Sequence, residues 1–231
     1  MSGQLTTMQD HPALARRSTQ AMRWLAFLLP LHALLLMWGT RVRQPSPSAQ
    51  FAEWARFVST DQFRWSHLIV SIGGQTAGMI GTLALTALLV ARGAPIGGSA
   101  LGLLLHISGS SLMLSGFGVA AFAQPAIGEL HVTEPRVAEQ MYHAVYNPAA
   151  FVVLLTGLVL FSFSTLATGA ALASSTVVPR WASRLFVVSG PLFGILGFLF
   201  GTLQTIGALT LAAASAMAAV RLVADRPRSG S

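Results

Sequence analysis

Glu139, His143, Tyr146 and Asn147 follow one another at offsets of four, three and one. Four residues along a helix bring a carboxylate onto the face of an imidazole, close enough to orient it. A histidine held in this way is a general acid or base, so Glu139 and His143 are the candidate catalytic pair. If the helix continued through Pro148, Asn147 would share that face. His67, with Asp61 and Trp65 beside it, enters from the same side of the membrane, and an outward-facing pocket between His67 and His143 is the expectation. The candidate ligand-binding residues are His67, Gln75, Tyr146, Asn147 and His106. His32, like His106, is embedded in an apolar run.

Three chemistries fit these groups. One is a non-catalytic protein, an accessory subunit or a binder of a lipid or small lipophilic molecule. The second is an enzyme of isomerase, cyclase or hydrolase type, acting on a lipophilic substrate through His143 and Glu139. The third is electron transfer with haem b held by two histidines, or a metal held by His67, His143 and His131. No cofactor is fixed by the sequence, because no repeated histidine spacing occurs on paired helices. Lone histidines at a membrane interface are commonly structural, which favours the non-catalytic reading.

What is missing narrows the chemistry further. The chain has no cysteine, which excludes disulfides, iron–sulfur clusters and thiolate nucleophiles. All of its basic residues are arginine, so there is no lysine for a retinal Schiff base. Glu53, Asp61, Glu129, Glu134 and Glu139 all fall between apolar segments, and Asp10 and Asp225 fall near the ends. Proton-driven transport and aspartyl proteolysis both call for carboxylates within the membrane, so their absence counts against both. Nucleotide-binding and hydrolase motifs are absent, as is an internal repeat.

The elements that must position these residues are helices in a bilayer. Of 231 residues, 53% are apolar and 9% charged, and the mean hydropathy is +0.64. A soluble domain carries about 25% charged residues. The fold expected is all-α, a polytopic transmembrane bundle of six helices, at about 21–38, 62–90, 98–123, 148–173, 183–200 and 205–222. They form one membrane domain over 19–223, between a flexible tail at 1–18 and a second tail at 224–231. Pro30 interrupts the first span. Trp38-Gly39-Thr40 lacks the small-residue cleavage pattern of a signal peptide, so that span is read as retained. Asp61 is the expected cap of the second span, and Asn147-Pro148 that of the fourth. The third ends at Gln124-Pro125, and Gly201 to Thr205 forms a tight turn between the last two.

Two amphipathic stretches are expected as short interfacial helices on the outer face. In 48–58 the apolar positions are Phe51, Trp54, Ala55 and Val58; in 135–146 they are Val137, Met141, Ala144 and Val145. Small-residue stripes at Gly74, Gly78 and Gly81, at Ser108, Ser111 and Ser115, and at Gly190, Gly194, Gly197 and Gly201 are expected to let helices pack closely.

Arginine sets the orientation. With both termini cytoplasmic, nine arginines (16, 17, 23, 92, 180, 184, 221, 226 and 228) lie inside and five (41, 43, 56, 64 and 136) outside. The net charge of +7 is therefore read as topology, with no nucleic-acid partner. The partners expected are the bilayer, with a membrane protein or a lipophilic small molecule, and the location a bacterial-type cytoplasmic membrane crossed several times.

Overall fold

Proline and glycine decide where the helices break. Pro30 has no N–H to give the Ala26 carbonyl, and Leu29 N–H takes that carbonyl instead at 3.2 Å. The chain therefore breaks between α1 (His11–Leu25) and α2 (Leu28–Gly39). The computed structural model describes residues 11–41, 44–175 and 178–224, with side chains from Ser18 onward. Residues 1–10 and 225–231 of the two expected tails, Arg226 and Arg228 among them, and residues 42–43, with Arg43, lie outside the described residues.

After α3 (Phe51–Val58), α4 (Asp61–Ser66) passes through a π-helical turn (His67–Gly73) into α5 (Gly74–Val90). Thr60, not Asp61, is the cap: its Oγ1 accepts from Phe63 N–H at 3.2 Å. Asp61 falls instead in the first turn, where a negative charge faces the positive end of the helix. Gly93, at φ +84°, turns the chain in a conformation that residues bearing a Cβ avoid.

α6 (Ile96–Thr133) does not stop at Pro125 but continues as a single helix of 38 residues. It is therefore about 57 Å long, against a hydrocarbon core of about 30 Å. Packing on its far end offsets the proline: Gln124, Pro125, Ile127 and Gly128 are all buried. α3 crosses closely enough that a Cβ on Gly128 would meet the Ala55 carbonyl and the Ser59 hydroxyl. Trp54, Ala55, Val58, Phe63, Ile127 and Ala138 form a separate apolar cluster here. Arg64 bridges to Glu129 at 2.9 Å on the same end.

α7 (Pro135–Val145) folds back along this extension. The face expected to be apolar is divided between two environments. Val145 packs into the cluster with Tyr142 and Ala138, whereas Val137 and Met141 stay 40% and 44% exposed.

α8 (Pro148–Ser174) starts as expected, with Asn147 Oδ1 accepting from Ala149 N–H at 2.9 Å and Ala150 N–H at 3.1 Å. α9 (Arg180–Gly190), a second π-helical turn (Pro191–Leu196) and α10 (Gly197–Leu199) make one span. Phe200, extended at φ −133° and ψ 98°, separates it from α11 (Gly201–Ala224). Arg92 donates to the Leu222 carbonyl at 3.0 Å, tying the α5–α6 turn to the end of α11.

Among the described residues the chain is helical, without strands. Six helices are long and apolar enough to cross a membrane: Ser18–Gly39, Asp61–Val90, Ile96–Thr133, Pro148–Ser174, Arg180–Leu199 and Gly201–Ala224. This is the construction of an integral membrane protein. α6 and α8 meet so closely that a Cβ on Gly109 would lie 2.8 Å from the Phe161 nitrogen. The serine stripe of the third span does not make this contact. Ser108, Ser111 and Ser115 face outward, while Gly102, His106, Gly109, Ser110 and Met113 turn inward, because glycine admits a neighbouring backbone where serine does not. Ser115 closes its hydroxyl on its own helix, on the Leu112 carbonyl at 2.7 Å.

Candidate functional site

The candidate residues fall into three places. Glu139 and His143 share α7 and are both exposed, and among the described residues no ion pair or hydrogen bond joins them. The helix ends at Val145, so Asn147 is not on their face; it is spent on capping α8. Tyr146 turns inward toward Gln124, and its hydroxyl is buried. Burial pushes its pKa up to about 12, with Gln124 opposing the rise and Tyr142 adding slightly to it.

His67 belongs to a different place, a cavity of about 210 Å³. Leu36, Trp38, Gly39 and Thr40 from the end of α2, Phe57 from α3, Phe63 from α4 and Phe117 from α6 form part of its wall. Ser66, His67, Val70 and Ser71 come from α4 and the first π-helical turn, Phe193 from the second, and Gln44 and Gln204 complete the lining. The His67 ring stacks on Phe63 with centroids 4.1 Å apart and its Nδ1 donates to the Phe63 carbonyl at 3.2 Å, leaving Nε2 as its free nitrogen. Thr40 and Thr205 hydroxyls meet at 2.8 Å, and Gln44 Nε2 donates to Gln124 Oε1 at 3.2 Å. The described lining carries aromatic rings, hydroxyls and amides, and no charge. His143, Tyr146 and Asn147 take no part in it, so His67 and His143 do not share a pocket.

The third place lies inside the bundle. His32, Gln75 and Ser110 are fully buried and His106 is 4% exposed. His32 Nδ1 donates to the Gly74 carbonyl at 2.8 Å, and a Cβ on Gly78 would lie 2.7 Å from the His32 ring. Ser110 Oγ donates to Gln75 Oε1 at 3.2 Å, and Gln75 Nε2 points to Met113 Sδ at 3.7 Å. The rings of His32 and His106 stand 5.9 Å apart with their planes at 81°. Phe161 packs on both, at 6.1 Å and 5.5 Å.

No family of proteins, characterised protein or solved structure matches this chain. Its chemistry has to be read from its own residues. Haem does not fit between His32 and His106. The void beside His106 holds about 10 Å³, and α2 and α5 touch across Gly78 and Gly81, which leaves no slot for a macrocycle. His67, His131 and His143 are not brought together as a metal site, and among the described residues no group of three or more His, Cys, Asp or Glu converges.

The candidates His67 and Gln75 are separated: His67 lines the cavity, whereas Gln75 bonds to Ser110 inside the bundle, where His32 and His106 are also buried. Depth was the available signal: His32 and His106 both lie well inside their spans. Gln44, Phe57, Phe193 and Gln204 carried no signal, because each gains its role only where seven helical elements converge.

Proposed function

We propose that the chain is a non-catalytic membrane protein that binds a small, uncharged amphipathic molecule in the cavity at His67. One observation carries this reading: both π-helical turns of the described chain open onto the same cavity, through His67, Val70 and Ser71 on one side and Phe193 on the other. A π-helical turn gives up regular hydrogen bonding, is rare, and is frequent at functional sites. At about 210 Å³ the space is below the roughly 300–1,000 Å³ of a drug-sized site, so it suits a headgroup or a compact ring. The uncharged lining favours a neutral ligand: His67, Ser66, Ser71 and Thr40 supply hydrogen bonds to its polar end, and Phe57, Phe63 and Phe117 contact the rest.

The setting proposed is a bacterial-type cytoplasmic membrane, with both termini inside and α3 and α7 on the outer surface. The arginine distribution supports the orientation. The exposed Val137 and Met141 of α7 suit a helix lying on lipid. The cavity would then open near the outer leaflet, where α2 ends and α4 and α11 begin.

The test is mass spectrometry of molecules that co-purify with the protein after gentle extraction. Ser71→Phe fills the cavity and should release a ligand that His143→Ala and Glu139→Gln retain. A wild-type preparation with nothing bound beyond bulk lipid, or retention in Ser71→Phe, rejects the reading.

A further inference from the structure

We infer that His32 and His106 form a two-coordinate site for a soft monovalent cation of the copper(I) class, separate from the cavity at His67 and independent of what that cavity binds. The groups around each ring bear on where its proton sits. His32 Nδ1 faces a carbonyl, that of Gly74 at 2.8 Å, and a carbonyl can only accept, so the proton is on Nδ1. In the neutral ring Nε2 then presents a lone pair. Ser164 gives its own proton to the Phe161 carbonyl at 2.6 Å, which leaves its oxygen to accept from His106 Nδ1 at 3.5 Å. That contact is long, and the Gly78 carbonyl also lies near the His106 ring. The site inferred takes the His106 tautomer with the proton on Nδ1 and the lone pair on Nε2.

Both Nε2 atoms are buried and neither has a hydrogen-bond partner. Two buried lone pairs without donors call for an occupant that accepts electron pairs. A backbone carbonyl holding the far nitrogen of a ligating histidine is the arrangement that fixes tautomer and ring orientation in metal sites.

The ring separation is that of an ion-bridged pair as well as of a plain edge-to-face contact. A metal sits about 2 Å from an imidazole nitrogen, and the ring adds about 1 Å on each side, so two rings bridged in line have centroids about 6 Å apart. The observed separation is 5.9 Å. The planes at 81° are no obstacle, since two-coordinate binding leaves rotation about the nitrogen–metal axis free. A proton shared directly between the nitrogens would need them in hydrogen-bond contact, which they are not.

Charge selects the class of ion. The acidic residues that fall within the six spans, Asp61 and Glu129, both pair with Arg64 at one end of the fold, so no carboxylate compensates a cation at His32 and His106. The cost of desolvating an ion rises with the square of its charge, which disfavours zinc(II) and copper(II) at a site with only two neutral ligands. Imidazole is an accepted copper ligand, and a two-coordinate monovalent ion needs no further donors.

The experiment is titration of the purified full-length protein with copper(I), in competition with a chromogenic chelator, and with silver(I) as the redox-inert analogue. One ion per chain is expected, with loss of binding in His32→Ala and in His106→Ala and retention in His67→Ala and His143→Ala. Should the core variants fail to fold, nitrogen NMR of histidine-labelled wild type still decides. Silver(I) should shift two of the six histidine side chains, those with Nδ1–H tautomers and no solvent exchange. Absence of stoichiometric binding, binding that survives both core variants, or shifts confined to exposed histidines overturns the site. Because the readout is metal stoichiometry, this outcome is independent of whether a molecule co-purifies in the His67 cavity.

Discussion

The imidazole of His32 lies flat against Gly78, so close that a Cβ at that position would sit 2.7 Å from Cγ, 2.8 Å from Nδ1 and 2.9 Å from Cδ2. His32 cannot retreat, because its Nδ1 is bonded to Gly74 one turn earlier on the same partner helix. The packing of α2 on α5 and the placement of the buried imidazole are one feature.

Gly78→Ala should therefore destabilise the bundle by about 1–3 kcal/mol, the usual cost of overpacking a filled core. Gly118→Ala is the control, since nothing lies within 4 Å of the Cβ it would gain, and it should be neutral or slightly stabilising. Thermal unfolding in detergent compares the two; equal melting temperatures would contradict the contact.

Thr40 and Thr205 join the end of α2 to the start of α11 through a 2.8 Å hydrogen bond. Hydrogen bonds between membrane helices average about 0.6 kcal/mol. Thr40→Val and Thr205→Val should each cost roughly that much, and the double variant hardly more than either alone. A double-mutant cycle with no coupling energy would show that the two hydroxyls do not support one another.

Tyr142 and Tyr146 are the chain's two tyrosines, so its tyrosine titration has two candidates only. Burial raises the pKa of both, and Tyr146 reaches about 12. In the unfolded chain each would ionise near 10. The folded state thus holds its protons longer, and the stability due to this burial is complete below pH 10 and is lost as pH rises from there toward 12. Ultraviolet difference spectra of wild type and Tyr146→Phe check the assignment: the later of the two transitions should disappear in the variant.

The absence of cysteine makes orientation simple to measure. Glu134→Cys, at the α6–α7 junction, should react with a membrane-impermeant thiol reagent in intact cells. Ala91→Cys, at the α5–α6 turn, should react only after the membrane is opened. The reverse pattern would invert the proposed topology.

Short-range features were legible in the sequence because adjacent residues determine them. Pro30 breaks the first span by removing its own N–H, and Asn147-Pro148 starts α8 through bonds to the next turn. Six apolar stretches of sufficient length needed only a hydropathy count, and even the division at Phe200 was marked nearby by Gly201 to Thr205. Where local signals failed, as at Pro125, packing from α3 and α7 outweighed a local break.

The azimuth of each span was the information the sequence lacked. In water, an apolar stripe marks the buried face of a helix; in a bilayer, lipid is as apolar as the core, so both faces look alike. The outward turn of Ser108, Ser111 and Ser115 and the inward turn of His106 and Ser110 could therefore not be read from pattern. Nor could the meeting of Thr40 with Thr205, 165 residues apart, or of His32 with His106. Composition and spacing determined a six-helix membrane protein and the list of polar groups it carries inside. Which of those groups meet was decided only by the tertiary structure, where the His32 ring against Gly78 and close backbone approach at Gly81 and Gly109 set how α2 meets α5 and α6 meets α8.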